Sequence, residues 1–307
     1  MNIYGPVPSR RLGYSLGVDL LPFKTCSFDC IYCQLGRTIR KTVRRREFIS
    51  AQEILGQIKR VLASRKKIDC ITFSGSGEPT LSTAIRAVIA GIKKMTSIPV
   101  VVLTNSSLLS LREVREALLQ ADIVVPTLDA ATQAVFLKVH RPHASLKIDK
   151  IVAGLERFRR EFRGEIWLEV MLVKGINDRP SHLKKLKELI AHLKPDKVHL
   201  NTVARPPAEE RARPVSPSEL RKIQEFLGPG TEIIADFERK EQAPAGEELT
   251  EVIVSALRRR PMTRRDLRLS LGKSPGLIKE CLISLLRKRK IKARRHQGTV
   301  YYETDGS

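Results

Sequence analysis

Short runs of β-branched residues alternate with amphipathic segments along most of this 307-residue chain, and this pattern limits the possible folds more than any other feature. Such alternation is typical of a parallel sheet wrapped by helices. Because crossovers between parallel strands are right-handed, we expect the sheet to curl into a barrel or to form a doubly wound layer. The predicted strands are 16–21, 68–75, 98–105, 121–129, 166–173 and 197–204.

Helical segments fit between these strands. Two of them have clear boundary residues: Ser50 with Glu53 forms a capping box pattern, and Ser216, Pro217 and Gly228 mark a start and a stop. The predicted helices cover 50–64, 81–95, 108–119, 145–160, 181–192 and 216–228.

The composition changes at 238–248, where charged and small residues with a proline indicate a linker. We therefore expect a core domain at 1–237 and a second, basic domain at 249–307. In the second domain, three helical segments precede an alternating stretch that turns at Gly298, as a hairpin would. This order of elements resembles a winged helix-turn-helix domain.

The formal net charge of +23 exceeds what solubility needs, so we expect a polyanionic partner such as nucleic acid. A generally basic proteome is the alternative. From Arg258 to Arg295, fifteen Lys or Arg residues stand against Asp266 and Glu280, a net of +13. The excess is thus concentrated in the second domain. RNA is its preferred partner over DNA, and docking to a protein or an intramolecular role is the competing interpretation.

The chain carries no apolar run long enough to span a bilayer, and Asp19 and Pro22 interrupt any signal-peptide pattern near its start. We expect a cytoplasmic protein without membrane contact. Thiols stay reduced in that compartment, so clustered cysteines are expected to be metal ligands or catalysts rather than disulfide partners.

Three cysteines, Cys26, Cys30 and Cys33, lie within the segment 24–36. Iron–sulfur clusters are usually held by four thiolates, so a group of three leaves one iron of a four-iron cluster without a protein ligand. Such an open iron can bind the amine and carboxylate of a small molecule. The triplet therefore predicts a cluster that takes part in chemistry.

Two other interpretations of the triplet leave a ligand or a cysteine unaccounted for. Zinc would need a fourth ligand, which only Cys70 or a distant His could supply. A redox-active pair of Cys30 and Cys33 would leave Cys26 unexplained. Cys70 and Cys281 lie in apolar strand and helix segments, and we expect both to be packing residues.

The C-x3-C-x2-C spacing, with Tyr32 before the last cysteine, resembles the radical S-adenosylmethionine (SAM) superfamily. The resemblance implies a [4Fe–4S] cluster on the three cysteines and SAM bound at the open iron. In that family the reduced cluster gives one electron to SAM, and the resulting 5′-deoxyadenosyl radical abstracts a hydrogen atom from the substrate. The implied fold of the core domain is a partial (β/α)6 barrel with the cysteines after its first strand.

The segment TFSGSGEPT, residues 72–80, leaves the second predicted strand with two glycines and a carboxylate. It resembles the Gly-Gly-Glu segment with which the family contacts the methionyl part of SAM. Gly77 and Glu78 match that segment, whereas Ser76 stands in place of its first glycine. Glycine permits a close approach of the backbone to a ligand. An ordinary tight turn is the alternative.

Polar residues end the next two predicted strands at Asn105 and Asp129. By resemblance we assign both, together with Tyr32, to contacts around SAM or the substrate. Turn or helix-cap roles are the alternative. Weaker candidates for the same pocket are Glu169, Lys174, Asn201, Arg205, His140, Arg141 and His143, the last three with a surface loop as the alternative.

The segment 5–38 resembles, more narrowly, a group of iron–sulfur oxidoreductases related to the tRNA wybutosine-synthesising enzymes. Ser9, Arg10 and Arg11 belong to its opening part. The resemblance does not carry the substrate over, because the sequence shows neither a flavodoxin-like electron-donor domain nor a second cysteine cluster. We expect one cluster and an external electron donor.

These features predict a radical SAM enzyme that abstracts hydrogen from an unidentified substrate, with RNA as a candidate. Its catalytic residues are not identified by the sequence. The alternative is a nucleic-acid-binding regulator whose cluster senses iron or redox state. The residues after the second, third and fourth strands favour the enzyme, since a sensor does not need a SAM pocket.

Overall fold

The computed structural model describes residues 2–9, 11–64, 67–234, 249–258, 260–271 and 273–304. Up to residue 234 the chain forms a mixed α/β fold. Its strands are β1 (Ile3–Ser9), β2 (Gly13–Val18), β3 (Thr25–Cys26), β4 (Arg40–Lys41), β5 (Cys70–Phe73), β6 (Val100–Thr104), β7 (Ile123–Pro126), β8 (Glu165–Leu172), β9 (Lys197–Thr202) and β10 (Thr231–Ile233).

Eight of these strands form one sheet in the order β1-β2-β5-β6-β7-β8-β9-β10. β1 pairs antiparallel with β2, and every later pair is parallel. Each of the six predicted strands overlaps a strand of this sheet, so the prediction of a largely parallel α/β sheet is confirmed. β1 and β10 were not predicted.

The helices of this part lie between the strands, as the alternating pattern requires. The helix 216–228 was predicted with its caps: Ser216 and Glu219 form a reciprocal capping box, and Gly228 ends the helix. At 50–64, Ser50 accepts from the Glu53 amide at 3.2 Å. No helix in the described ranges is both long and apolar enough to cross a bilayer. The helices are α1 (Ala51–Ala63), α2 (Ile85–Met95), α3 (Arg112–Leu118), α4 (Gln133–His140), α5 (Ile148–Glu161), α6 (Pro180–Leu193) and α7 (Pro217–Leu227).

The parallel strands are buried on both faces. Ile71 and Phe73 of β5 pack in the main core together with Ile89 of α2. The other face carries a smaller apolar cluster that includes Cys70 and Trp167. Each fully buried aliphatic or aromatic side chain contributes about 1.5–3 kcal/mol relative to exposure. Burial on both sides explains why these strands are continuous apolar runs in the sequence.

Beyond residue 248 the described residues form three helices and a three-stranded antiparallel sheet around a separate apolar core. Thr263 and Asp266 cap each other's amides at 3.0 Å, and Ser274 caps the following helix ahead of Pro275. The winged-helix assignment and the linker stay predictions, and 238–248 lies outside the described residues. The elements are α8 (Leu249–Leu257), β11 (Met262–Thr263), α9 (Arg264–Leu271), α10 (Pro275–Arg287), β12 (Ile291–His296) and β13 (Thr299–Thr304).

This C-terminal unit, residues 249–304, contacts the larger part of the fold. The Tyr301 hydroxyl donates to the Ala204 carbonyl at 2.8 Å, and Gln297 Nε2 donates to the Val203 carbonyl at 3.3 Å. Helices α8 and α9 pack on strand β1. The C-terminal unit therefore meets the fold at β1 and at the loop that follows β9.

Candidate active site

The cysteine loop, residues 24–36, is held in place by backbone hydrogen bonds to distant parts of the chain. β3 pairs with β4, and the Thr42 amide donates to the Cys26 carbonyl at 2.9 Å. Further along, the Ile31 amide donates to the Val139 carbonyl at 3.0 Å. The loop is therefore fixed against the C-terminal end of α4.

Each cysteine sulfur in this loop has a side-chain nitrogen atom within hydrogen-bonding distance. The three nitrogen atoms come from three different segments of the chain. A thiolate sulfur accepts hydrogen bonds, so this arrangement suits cysteines that bind iron as thiolates. The pairs are Lys24 Nζ to Cys33 Sγ at 3.1 Å, His140 Nδ1 to Cys30 Sγ at 3.2 Å, and Asn105 Nδ2 to Cys26 Sγ at 3.5 Å.

The three thiols lie close enough together to influence one another electrostatically. Burial, followed by the Glu78 carboxylate, raises the pKa of Cys26 to about 12. Burial, followed by the charges of Cys26 and Cys33, raises the pKa of Cys30 well above its usual range. A bound metal reverses this effect, because a coordinating thiol is deprotonated. The three thiols and their nitrogen neighbours therefore fit an iron–sulfur cluster, which is held by cysteine thiolates. Within the described ranges, no three His, Cys, Asp or Glu side chains converge on a single metal ion.

Asp129 lies at the centre of a buried polar network behind the cysteine loop. Its Oδ2 accepts from the Tyr32 hydroxyl at 2.5 Å, and its Oδ1 accepts from the Met171 amide at 2.7 Å. His140 Nε2 lies 3.5 Å from Oδ2, while the other ring nitrogen faces Cys30. Burial raises the pKa of Asp129 to about 8 and lowers the pKa of His140 to about 3. At neutral pH the carboxyl is therefore mostly protonated and the imidazole is uncharged.

The glycine-containing turn after β5 packs directly on the cysteine loop. The Ser76 hydroxyl and amide donate to Asp19 Oδ2 at 2.6 and 3.0 Å. A Cβ atom on Gly77 would lie 1.7 Å from the Thr25 carbonyl oxygen, so only glycine fits there. The turn is thus in van der Waals contact with the residue before Cys26.

Glu78 is buried, and its carboxylate accepts four hydrogen bonds from nearby chain segments. The donors are the Thr80 amide and hydroxyl, the Thr104 hydroxyl and the Asn105 amide, at 3.1, 2.6, 2.7 and 2.6 Å. Burial raises the pKa of Glu78, and these donors oppose the rise. Since Asn105 in turn contacts Cys26, the carboxylate positions a neighbour of that thiol.

A cavity of about 380 Å³, called here the central cavity, opens beside the cysteine loop. Cys33 and Tyr32 line it on one side, and Gly75 lines it from the turn after β5. Arg205 also lines it, and its Nη1 donates to Gln34 Oε1 at 3.1 Å. The cavity therefore joins the cysteine loop to the loop that follows β9.

Another wall of the central cavity carries three hydrogen-bonded polar side chains, each from a different segment of the chain. Glu169 accepts from Arg11 Nη2 at 2.8 Å and from Asn201 Nδ2 at 3.0 Å. The C-terminal unit adds Arg260 and Met262 to the lining. The structure thus brings the candidates Glu169, Asn201 and Arg205 to one cavity.

Other candidates from the sequence lie elsewhere. Lys174 pairs with Glu219 at the start of α7, away from the lining residues of the central cavity. His143 hydrogen-bonds to a nearby serine hydroxyl, and Arg141 Nε donates to the Asp29 carbonyl at 2.8 Å. Arg10 lies outside the described residues.

Two residues of the site were not singled out from the sequence. Lys24 is only two positions before Cys26, yet its amine reaches Cys33. Asp19 holds Ser76 across 57 positions of the chain. In the sequence, Lys24 and Asp19 are simply charged residues close to the cysteine triplet. Their position in the sequence does not show that Lys24 contacts Cys33 or that Asp19 contacts Ser76.

A family model described as the radical SAM superfamily matches residues 20–190. That range contains the cysteine loop, the turn 74–78, Asn105 and Asp129.

Relatives extend over more of the chain. A UPF0026 protein from Methanocaldococcus jannaschii is 34% identical over 97% of this chain and 94% of its own length. A protein named GTPase Obg, from Brachyspira hyodysenteriae, is 38% identical over 98% of this chain, but the match spans only 45% of that protein. A dual-specificity RNA methyltransferase RlmN from Syntrophobacter fumaroxidans is 29% identical over 61% of this chain and 57% of its own length.

A solved structure with a similar fold is a radical SAM methyltransferase from Sphaerobacter thermophilus, with a TM-score of 0.56. The two chains are 18% identical, and the match covers 71% of this chain and 65% of the other. At this identity the likeness concerns the fold alone.

Proposed function

Since this chain belongs to the radical SAM superfamily, whose members use a [4Fe–4S] cluster and SAM, we propose that Cys26, Cys30 and Cys33 hold that cluster. The chain is accordingly an enzyme with SAM-dependent radical chemistry and needs an electron donor. These three cysteines would hold the cluster, which would supply one electron to SAM for its cleavage into methionine and a 5′-deoxyadenosyl radical. The observation that carries the assignment is the nitrogen donor beside each of the three thiols.

The residues around the cysteine loop then divide into two roles. Lys24, Asn105 and His140 donate hydrogen bonds to the thiolates and stabilise their negative charge. A second set, which again includes Asn105, is proposed to shape the SAM pocket. In this set Tyr32 lines the central cavity, and the other residues fix the chain segments around that cavity. The proposed cofactor-binding residues are Tyr32, Ser76, Gly77, Glu78, Asn105 and Asp129.

The fold supports a finer description of the core. We infer a partial (β/α)6 barrel in residues 1–237, made of β2 and β5 to β9, with the central cavity beside the cysteine loop. A linker at 238–248 and a winged-helix domain at 249–307 complete the proposed organisation. The order of helices and hairpin in the C-terminal unit supports the winged helix.

RNA is the proposed substrate or partner, and the C-terminal unit is its proposed binding surface. Many of its cations are exposed, among them Arg264 of α9, Arg287 at the end of α10 and Arg295 of β12. These places are where a winged helix meets phosphates. The similarity to an RNA methyltransferase supports RNA over DNA.

The cofactor assignment is tested by anaerobic reconstitution with iron and sulfide, followed by SAM and dithionite. We expect 5′-deoxyadenosine to form with the wild-type chain and not with Cys30→Ala. Absence of this product from a protein that carries a complete cluster would disprove the proposed enzyme and favour an iron–sulfur sensor of redox state.

RNA contact is tested by titrating the full chain with total tRNA and with duplex DNA at several salt concentrations. Neutralised phosphates release counterions, so log affinity should fall against log salt with a slope of roughly 0.7–0.9 per contact. Binding to neither polymer at low salt would remove the nucleic-acid proposal without affecting the cofactor assignment.

A further inference from the structure

A groove of about 510 Å³, called here the α4–α6 groove, is separate from the central cavity and shares no lining residue with it. Helices α4 and α6 both begin at this groove. Thr132 caps α4 with its side chain, and Arg179 occupies the cap position of α6. The amides at a helix N-terminus carry partial positive charge, and neither helix has an acidic residue in its first turn. Two positive helix ends therefore face one groove.

The start of α6 has no side-chain cap. Arg179 makes no capping hydrogen bond. The preceding Asp178 does not replace it, because its Oδ1 accepts from the Gly175 amide at 2.7 Å and its Oδ2 lies 3.7 Å from Lys174 Nζ. An oxyanion bound at the start of α6 would take the place of the missing cap.

Every charged side chain that lines the groove, within the part of the chain that the structure describes, is a cation. One of them, Arg211, is bound through its Nε to Glu209 at 2.5 Å. The other three are exposed and form no ion pair with a described residue: Lys138, Arg179 and Lys185. The lining therefore carries an excess of positive charge, which attracts an anion.

His182 adds an independent observation that points to a ligand. The residue lines the groove and is only 5% exposed, and its Nδ1 has no hydrogen-bond partner among the described residues. Its Nε2 lies 3.3 Å from the Asp129 carbonyl oxygen, which can only accept, so Nε2 carries a proton. Burial lowers the pKa of His182, and the charge of Lys185 acts in the same direction, so the ring holds this one proton. Nδ1 is therefore a buried acceptor that needs a donor.

An ionised phosphate by itself would not satisfy this arrangement, because its oxygen atoms accept hydrogen bonds and Nδ1 accepts as well. The ligand has to carry an anionic group for the cations and a hydroxyl for His182. A ribose phosphate carries both, and in an RNA chain the free hydroxyl is the 2′-hydroxyl. The volume of the groove is in the range of small-molecule pockets.

We propose that the α4–α6 groove binds a ribose phosphate, with the phosphate held by Arg179, Lys185 and the start of α6. The ribose 2′-hydroxyl donates to His182 Nδ1. The ribose phosphate can come from a free ribonucleotide or from one nucleotide of an RNA chain, and only the second source rests on the proposed function. The groove adds a binding site that requires neither the cluster nor SAM.

The experiment measures the affinity of the full-length protein without SAM or reductant. The probes are the four ribonucleoside 5′-monophosphates, their 2′-deoxy counterparts, inorganic phosphate, and a single-stranded RNA and DNA of one sequence. We expect Arg179→Gln and Lys185→Gln to weaken binding of the ribose probes by about threefold to tenfold, because a charge-assisted contact is lost. His182→Gln keeps an amide donor for the Asp129 carbonyl but loses the Nδ1 acceptor. It should weaken the ribose probes by about threefold or more and leave the 2′-deoxy probes unchanged.

Two matched variants remove a positive charge outside the groove. Lys184→Gln changes the exposed neighbour of Lys185 on α6, and Arg160→Gln changes an exposed arginine in the last turn of α5. Neither residue lines the groove, and we expect wild-type affinities from both. Melting temperatures identify any variant that fails to fold. If His182→Gln fails, the preference of the wild type for ribose over 2′-deoxy probes decides the role of the hydroxyl.

The outcomes separate the two sources of the ligand. Loss of monophosphate binding in the groove variants identifies a free ribonucleotide, and loss confined to the RNA strand identifies RNA. The inference is overturned if Arg179→Gln and Lys185→Gln bind every probe as the wild type does, or if Lys184→Gln and Arg160→Gln lose as much affinity. Equal affinity for ribose and 2′-deoxy probes, or for inorganic phosphate, would overturn it as well.

The same measurements distinguish this inference from the proposed function. RNA affinity that falls in Arg287→Gln of the C-terminal unit, but not in the groove variants, would refute the groove and keep the proposed RNA contact. Ribonucleotide binding that depends on Arg179, in a protein that carries a cluster but never cleaves SAM, would refute the radical chemistry alone.

Discussion

His140 places its Nδ1 atom 3.2 Å from the sulfur of Cys30, although 110 positions of the chain separate the two residues. The imidazole is neutral at physiological pH, because burial lowers its pKa to about 3. When Cys30 is a thiolate, Nδ1 has to carry the proton, since a thiolate can only accept. His140 then acts as a neutral hydrogen-bond donor to one proposed cluster ligand.

We therefore expect His140→Phe to lower the midpoint potential of the reconstituted cluster. A hydrogen bond to a ligand sulfur favours the more negative, reduced cluster. A bond of about 1 kcal/mol corresponds to roughly 40 mV for one electron. Redox titration followed by electron paramagnetic resonance measures the shift. His143→Phe, which changes a histidine without a thiol contact, should leave the potential unchanged, and an equal potential in both variants would contradict the assignment.

Single replacements of the five cysteines should divide into two groups. Cys26→Ala, Cys30→Ala and Cys33→Ala are expected to lose or degrade the cluster. Cys70→Ala and Cys281→Ala should keep wild-type iron and sulfide, because both side chains pack in apolar clusters. Iron and sulfide assays on the reconstituted proteins measure the difference. Full retention in Cys30→Ala would show that another residue supplies a ligand.

Gly77→Ala should destabilise the protein and impair cluster uptake. The added methyl group would lie 1.7 Å from the Thr25 carbonyl oxygen and would displace the chain beside Cys26. Gly56→Ala is the matched control, because its Cβ meets nothing within 4 Å and lies within α1. We expect that control to be neutral or stabilising by about 0.4–1 kcal/mol. Denaturant unfolding and iron content measure both effects, and similar behaviour of the two variants would refute the close-packing argument.

The unfolding free energy of the metal-free protein should depend on pH through the Asp129 carboxyl. Burial raises the pKa of this carboxyl to about 8, with Tyr32, His140, Cys30 and Glu169 as its titratable neighbours. A carboxyl with a raised pKa binds more protons in the folded state, so stability falls as pH rises from about 4 to about 8. The loss is at most about 1.4 kcal/mol per pH unit for this group.

Asp129→Asn imitates the protonated carboxyl and should flatten this dependence. Unfolding free energies of wild type and variant, measured at pH 5 and pH 8, give the comparison. Asp149→Asn replaces an exposed carboxylate in the first turn of α5 and should retain the wild-type slope. A wild-type slope in Asp129→Asn would mean that the carboxyl titrates normally.

The parallel strands were predictable because burial on both faces makes them apolar runs, as in Cys70–Phe73. β1 was missed for a physical reason. It contains Gly5, Pro6 and Pro8, which argue against a strand, but it pairs only with β2 at the edge of the sheet, where proline is tolerated. The short helix α4 was missed as well, and His140 at its end therefore looked like part of a surface loop.

The candidate site was predictable where one segment carried the signal, as in the cysteine triplet. The site was not predictable where the hydrogen-bond partner of a residue is remote in the sequence. Ser76 stands at a non-matching position of a ligand-binding motif, and its hydroxyl binds Asp19. Glu78 matches the motif, yet its carboxylate accepts from the Asn105 amide. Such pairings depend on the tertiary arrangement of strand ends, which local sequence does not encode.

Because Arg260 and Met262 form one wall of the central cavity, the cavity is completed only late in the synthesis of the chain. A ribosome adds about 5–20 residues per second, and these residues are made more than two hundred positions after Cys33. For roughly ten seconds to under a minute, therefore, the nascent chain carries the cysteine loop but not that wall. We expect iron–sulfur delivery proteins to have freer access to the three thiols during synthesis than after the chain is complete.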